Sequence, residues 1–337
     1  MDILNLITNK DRVDFSENFN YKTDFKLDSL FPKEKTDNLK VAIDRLVENG
    51  TLPVMATFHA FDTEAKIGDR TNYRSLELEK LLIKEKINQT ERIQVLLGNT
   101  TDEETILNFI YDDMSSLTSR VLTRAELANN QVMSTGKLEI NENNYKTTVD
   151  YGYSSGNNIA LSGWNDPSHD IIGDLESVIN KAKNKGKKIT RALTSSKIVS
   201  YMAKNKTIRS YFEKAAVLVT EKTVLRWVYE NFGIAFDVND DLYKESANAT
   251  TTHRFYPENK ISFFGGEGGI GKGFYTRTPE ELASIENQSR GFVTITNWDT
   301  PDPVATWTKA SAVYIPVIAD IDNLFIATLT NTTVSGS

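Results

Sequence analysis

From Thr101 to Gly136 the chain repeats an apolar residue every three or four positions, and this stretch limits the fold more tightly than any other. Ile106, Ile110, Met114, Leu117, Val121, Ala125, Ala128 and Val132 fall on one stripe of a single α-helix. Thr101 with Glu104 has the form of a capping box, in which each side chain satisfies the other residue's free backbone N–H. Asp102, Glu103 and Glu104 place negative charge at the positive end of the helix dipole. Gly136 supplies the stop, because glycine enters the left-handed conformation without a Cβ clash. A helix of this length spans roughly 50 Å, more than the width of a small domain. Arg120, Arg124, Glu126, Asn129, Asn130 and Gln131 occupy the other faces. The expectation is a spine packed along one side, not a helix sunk in a globular core.

Composition sets the rest of the frame. Of 337 residues, 39% are hydrophobic and 25% charged, which predicts a folded chain with room for two or three structural units. No window approaches a membrane span of about 18 apolar residues. The opening MDILNLITNKDR lacks the small-residue cleavage site of a signal peptide. With no cysteine in the chain, disulfides and thiolate metal sites are excluded. The formal net charge of −7 argues against wrapping nucleic acid tightly, which calls for a basic face. It is compatible with a surface that lies beside a polyanion without adhering to it.

Ahead of the helix, Phe15, Phe19, Tyr21, Phe25 and Phe31 are strung between polar residues with no period of two or of 3.6. An aromatic segment without its own core docks elsewhere, either on its own domain or on a neighbouring subunit. Leu52–Ala60 alternates as a strand, and the polar stretch FDTEAKIGDRTNY follows. Leu76, Leu78 and Lys80 resume an extended pattern that continues through Leu82, Lys84 and Lys86. These are two arms of a ribbon around a charged tip, and such a ribbon has too little apolar face to stand alone. Lys66, Arg70 and Arg74 on its tip suit ion pairs with a neighbour.

After the helix, Lys137–Tyr153 predicts a β-hairpin around Asn143 and Asn144. An amphipathic helix over Ile171–Lys185 is stopped by Gly186, and a strand follows over Lys188–Leu193. Ser195 opens another helix, Lys214–Phe232 contains a further one, and Ile234, Phe236 and Val238 form a strand. Helices and strands alternate without a regular unit, so the fold class is α+β. The chain closes with strands at Phe292–Thr296, Val313–Ile318 and Leu324–Leu329. Pro316 suits an edge or an irregularity better than a central strand.

The motifs that might carry chemistry are weak. Gly266, Gly271 and Lys272 have phosphate-loop spacing, yet Gly273 stands where Ser or Thr must hold magnesium, and no helix opens behind it. His59, His169 and His253 are far apart, and Asp112-Asp113 and Asp240-Asp241 read as solvated charges. Lys181, Lys183, Lys185, Lys187 and Lys188 read as a solvated helix end favoured by the dipole. No catalytic residue, cofactor or metal site is expected.

The order of segments, with particular words, resembles the tailed-bacteriophage major capsid protein fold and its lambda-type capsid protein E family. The words are Leu30-Phe31-Pro32, Asp62-Thr63-Glu64-Ala65 before Arg70, Leu122 to Gly136, Tyr256-Pro257-Glu258-Asn259, and Trp298 through IPVIADIDNLFIATL. The resemblance implies an N-terminal arm at 1–52, an E-loop at 53–86 and a P-domain at 87–154 with the spine helix and hairpin. It implies an A-domain at 155–290, with 291–337 returning to the P-domain and ending in the A-domain. The implied function is structural. Hexamers and pentamers close an icosahedral-type shell around double-stranded phage DNA, first as a procapsid that then expands. The aromatic residues of the arm and the three basic residues of the ribbon tip would make contacts between subunits. Implied partners are a separate scaffolding protein, because the arm is short, a portal protein, an optional decoration protein, and DNA held without sequence specificity; no membrane is involved. The implied location is the virion, with assembly in the bacterial cytoplasm. The alternatives are a nanocompartment shell of the same fold and a nucleotide-binding enzyme using the Gly266–Lys272 loop.

Overall fold

A computed structural model describes residues 7–19, 25–46, 55, 73–89, 103–265, 270–283, 291–302, 304–318 and 320–331. The chain divides into two compact units. The first comprises Met1–Val41, Leu78–Asn129 and Gly271–Val317; the second comprises Ala42–Glu77, Asn130–Ile270 and Ile318–Ser337.

The first unit begins with helix α1 (Asn9–Asn18), which Thr8 and Asp11 open with a reciprocal capping box. Strand β1 (Lys33–Lys35) follows. Strands β2 (Lys40–Leu46) and β3 (Tyr73–Glu79), most of whose residues fall in the second unit, pair as a two-stranded sheet, and β4 of the first unit is Leu81–Gln89. The ribbon thus departs from its expected form. Its return arm is not one continuous strand, because the Lys80 side chain is buried and its ammonium donates to the Asn38 carbonyl. Beyond that break, β4 pairs antiparallel with β15 (Val304–Ile318), Leu81 opposite Tyr314 and Gln89 opposite Thr306. The partner of β3 is a stretch that sequence periodicity leaves within the arm. The expected outgoing arm at 52–60 and the tip with Lys66 and Arg70 lie outside the described residues, Met55 apart.

The spine helix α2 is Glu103–Thr135, so its expected capping residue Thr101 lies outside the described residues. Met114, Leu117 and Val121 are fully buried, as is Ile110, and they form a core with Val293, Ile295, Ala310 and Ala312. Those last four belong to β14 (Thr294–Pro301), β15 and the residue before β14. Strands β14 and β15 form a hairpin whose last pair is Pro301 and Val304, and β15 is far longer than expected. Strand β1 runs parallel to β13 (Gly271–Thr276), and the sheet order is β1-β13-β15-β14, with β4 also on β15. Pro316 lies in β15, past the ends of its ladders with β14 and β4. The ladder with β14 ends at Ser311 and that with β4 at Tyr314, so the missing N–H of proline costs neither ladder a bond.

In the second unit, β5 (Lys137–Glu142) and β6 (Tyr145–Asp150) form the hairpin. Asn143 and Asn144 both have positive φ, 50° and 61°, as a type I′ turn requires. The main sheet of this unit has the order β7-β16-β12-β8-β9, built from Asn158–Ser162, Phe325–Thr330, Lys260–Phe264, Arg191–Thr194 and Ala235–Val238 respectively. Helices α3 (Ile171–Asn184), α4 (Ser196–Lys204), α5 (Lys206–Lys214) and α6 (Glu221–Phe232) share its core. Leu175, Val199, Met202 and Val228 bury their side chains there with Ala192, Phe263 and Phe325. Helix α5 was not foreseen. Only Ile208 and Phe212 are buried along it, too few to mark a period. Two short strands, β10 (Leu242–Tyr243) and β11 (His253–Arg254), pair apart from the sheet, and helix α7 (Pro279–Ala283) belongs to the first unit. Among the described residues, no helix is long and apolar enough to cross a membrane.

Candidate assembly surface

The expected contact residues divide sharply once placed. Phe31 is fully buried within its own unit, beside Gly271, where an added Cβ would also meet the Val317 carbonyl oxygen at 2.1 Å. Phe31 is therefore a core residue and not a contact between subunits. Phe15 is half-buried, its ring 5.1 Å from Phe19 and 5.8 Å from Tyr111 of the spine. The Ser16 hydroxyl donates to the Val293 carbonyl. The described part of the arm thus lies on its own unit, one of the two placements open from sequence. Phe19 and Phe25 keep partial exposure. Tyr21, Lys66 and Arg70, and the side chains of Arg74 and Ile106, lie outside the described residues.

The second half of the spine departs from a one-sided stripe. Glu126, Asn129 and Asn130 are buried along with Ala125, Ala128 and Val132. Buried polar groups need partners, and each of these has one far away in sequence. Glu126 accepts the backbone N–H of Leu27 at 3.1 Å, and Asn129 accepts the Tyr314 hydroxyl at 2.7 Å. Asn130 accepts the Asn239 amide at 2.9 Å. In the second unit, the orphan carbonyls at the helix end are taken up as well. Lys260 Nζ donates to Ser134 at 2.7 Å and Ser262 Oγ to Met133 at 2.6 Å. Burial lowers the Lys260 pKa from its ordinary value, while its position opposes the negative end of the helix dipole. Gly136 then closes the helix at φ 70°.

The motifs weighed for chemistry have structural roles here. Lys272 lies in β13 and pairs with Glu34 at 2.6 Å, so it belongs to a strand and not to a loop that opens a helix. Gly266 lies outside the described residues. Asp240 is no solvated charge. Burial would raise its pKa, but hydrogen bonds from Ser196 and Arg254 outweigh this and hold it below the usual range. The lysine cluster is likewise committed in part. Lys181 donates to the Asn158 carbonyl, Lys185 to the Asn157 side chain, and Lys187 pairs with Asp320 at 2.9 Å. His169 pairs with Asp174 at 2.8 Å. His253 stands 3.7 Å from Glu245, and His59 lies outside the described residues.

What remains at the surface is a set of large apolar side chains that periodicity had not singled out. Leu218 is 79% exposed, Tyr229 58% and Val217 46%. Val217 and Leu218 belong to the unbroken apolar run Ala215-Ala216-Val217-Leu218-Val219 between two helices.

The architecture matches solved phage proteins. A prophage protein of E. coli CFT073, described as a candidate capsid protein, is 16% identical and aligns over 93% of this chain and 94% of its own, with a TM-score of 0.60. A phage-related protein of Bordetella bronchiseptica RB50 is 10% identical over 92% of this chain and 93% of its own, with a TM-score of 0.56. The capsid of Myoviridae phage XM1 is 13% identical over 94% and 95%, with a TM-score of 0.51. At these identities the likeness defines the fold: this is the tailed-phage capsid fold of the Hong Kong ninety-seven type. The family model for phage major capsid protein E matches residues 17–329, and the chain belongs to that family. No curated protein matches it. Family and fold are those of structural capsid proteins, whose copies assemble into shells, and the chain is a component of the phage capsid.

Proposed function

We propose that copies of this chain assemble as hexamers and pentamers into a closed icosahedral-type shell around double-stranded phage DNA, through a procapsid that then expands. The family match across residues 17–329 carries this reading. It also favours a phage head over a nanocompartment. The net charge of −7 supports it, since an acidic lining does not trap the packaged polyanion. A separate scaffolding protein, a portal protein and an optional decoration protein complete the set of partners, and assembly takes place in the bacterial cytoplasm. In this reading residues 1–52 are the arm, 53–86 the E-loop, 87–154 with part of 291–337 the P-domain, and 155–290 the A-domain. Phe19, Tyr21, Phe25, Lys66, Arg70 and Arg74 are the contacts offered to neighbouring subunits. The nucleotide-binding alternative has little support, because Lys272 is paired to Glu34.

Sedimentation of the recombinant chain, alone and co-expressed with its candidate scaffolding protein, tests the proposal. Capsomer-sized or shell-sized species are expected, and removal of the ribbon tip at 62–74 should abolish them. A chain that sediments as a monomer in every condition and binds ATP in titration would instead favour the enzyme.

A further inference from the structure

The formal net charge of −7 is an average over a divided chain. Residues 171–226 hold thirteen lysines and arginines against four acidic residues, a balance of +9, which leaves −16 on the other 281 residues. This basic segment builds one layer of the second unit. In the main sheet Leu329 pairs with Leu161, Phe263 with Phe325 and Ala192, and Ala192 with Phe236. Partners in register share a face, and all six lie in the core that α3, α4, α5 and α6 also line. The four helices therefore cover the same face of the sheet. Ser262, on the other face, reaches the end of the spine at Met133. With their apolar positions turned into that core, the helices present their basic residues outward.

Lys183, Lys188, Lys204, Arg209, Lys214 and Lys222 are exposed, and none of the six has an ion-pair partner among the described residues. Of the four acidic residues, Asp174 is paired with His169 at 2.8 Å, and Glu176, Glu213 and Glu221 stand exposed among the cations. Tyr211 and Tyr229 add hydroxyls at the surface, 48% and 58% exposed, a kind of group that reaches phosphate oxygens. Five of the six cations are lysines, point charges that ask for no fixed geometry in their partner. Spread over the layer, they fit a long polyanion of uniform charge, whose phosphates supply a negative group wherever the surface meets it. A contact of this size is weak and salt-labile, and the −16 elsewhere opposes it, so a polyanion is held without being trapped.

We propose that the outward surface of α3–α6 binds the phosphates of double-stranded DNA without reading its sequence. The proposal rests on the shell reading, which supplies that ligand, and names the surface that meets it. Fluorescence anisotropy of the full-length protein with two short labelled duplexes of unrelated sequence tests it. Both duplexes should bind equally at about 50 mM salt and weaken steeply by about 200 mM. Lys204→Glu/Arg209→Glu/Lys214→Glu/Lys222→Glu should lower the affinity about tenfold or more and flatten the salt dependence. Lys10→Glu/Lys84→Glu/Lys146→Glu/Lys244→Glu, an equal change of net charge at exposed lysines outside the layer, should keep most of the binding. The milder Lys204→Gln/Arg209→Gln/Lys214→Gln/Lys222→Gln should fall between wild type and the first set, and circular-dichroism melts check that every variant folds. Equal losses in the two Glu sets would mean that net charge alone acts and would overturn the proposal. So would a wild-type chain that assembles but binds neither duplex. Binding of poly-L-glutamate without binding of DNA would make the layer a protein-docking surface and overturn it as well. In each of these cases the shell reading would stand. A wild-type chain that never assembles would remove the shell reading, and the proposal with it.

Discussion

Gly136 and Glu280 show how much rests on single positions. At Gly136, φ is 70° and an added Cβ would lie 2.4 Å from the Tyr153 ring. Left-handed strain and the clash add, so Gly136→Ala should cost about 2–4 kcal/mol, seen as a lower urea midpoint. The stop was legible in the sequence, but the ring against it was not. Glu280 is a different case. Burial would raise its pKa, yet hydrogen bonds from Lys309 and from Ser311 outweigh burial and hold it below the usual carboxylate range. A carboxylate depressed in the folded state stabilises above its unfolded pKa and loses that contribution as pH falls through the folded value. The difference in thermal midpoint between the wild-type protein and Glu280→Gln should be widest above about pH 5 and close on acidification. A gap that widened in acid would contradict the assignment. Nothing in the sequence paired Glu280 with Lys309, because that bond depends on where α7 lies relative to β15.

Among the elements, the spine helix was the most legible, since its period is local and long. Leu117 is fully buried in it, and Leu117→Ala should destabilise the protein by about 2–5 kcal/mol, measurable by chemical denaturation. A change within about 0.5 kcal/mol would mean that the stripe faces solvent in the isolated subunit. The polar burial of Glu126, Asn129 and Asn130 was hidden for a physical reason. Their partners Leu27, Tyr314 and Asn239 are brought to them only by the fold, and on a helical wheel they look solvent-facing. The break in the ribbon's return arm was hidden for a related reason. Alternation gives the face of a strand but not its partner, so β4 was joined to β3 when its neighbour is β15.

At the scale of the whole molecule, the reading came from the order of segments and not from any catalytic constellation. The candidate contact surface was less legible. Phe31 looked like an exposed anchor and is a core residue, while the Ala215–Leu218 turn lies in a short apolar run that has no period. Exposure is a property of the folded chain. A chain built to close a shell is seen directly by electron microscopy of the purified protein, alone and co-expressed with a candidate scaffolding protein. Capsomer rings or closed particles, lost when residues 62–74 are removed, are the predicted result. Monodisperse single subunits under every condition would contradict it.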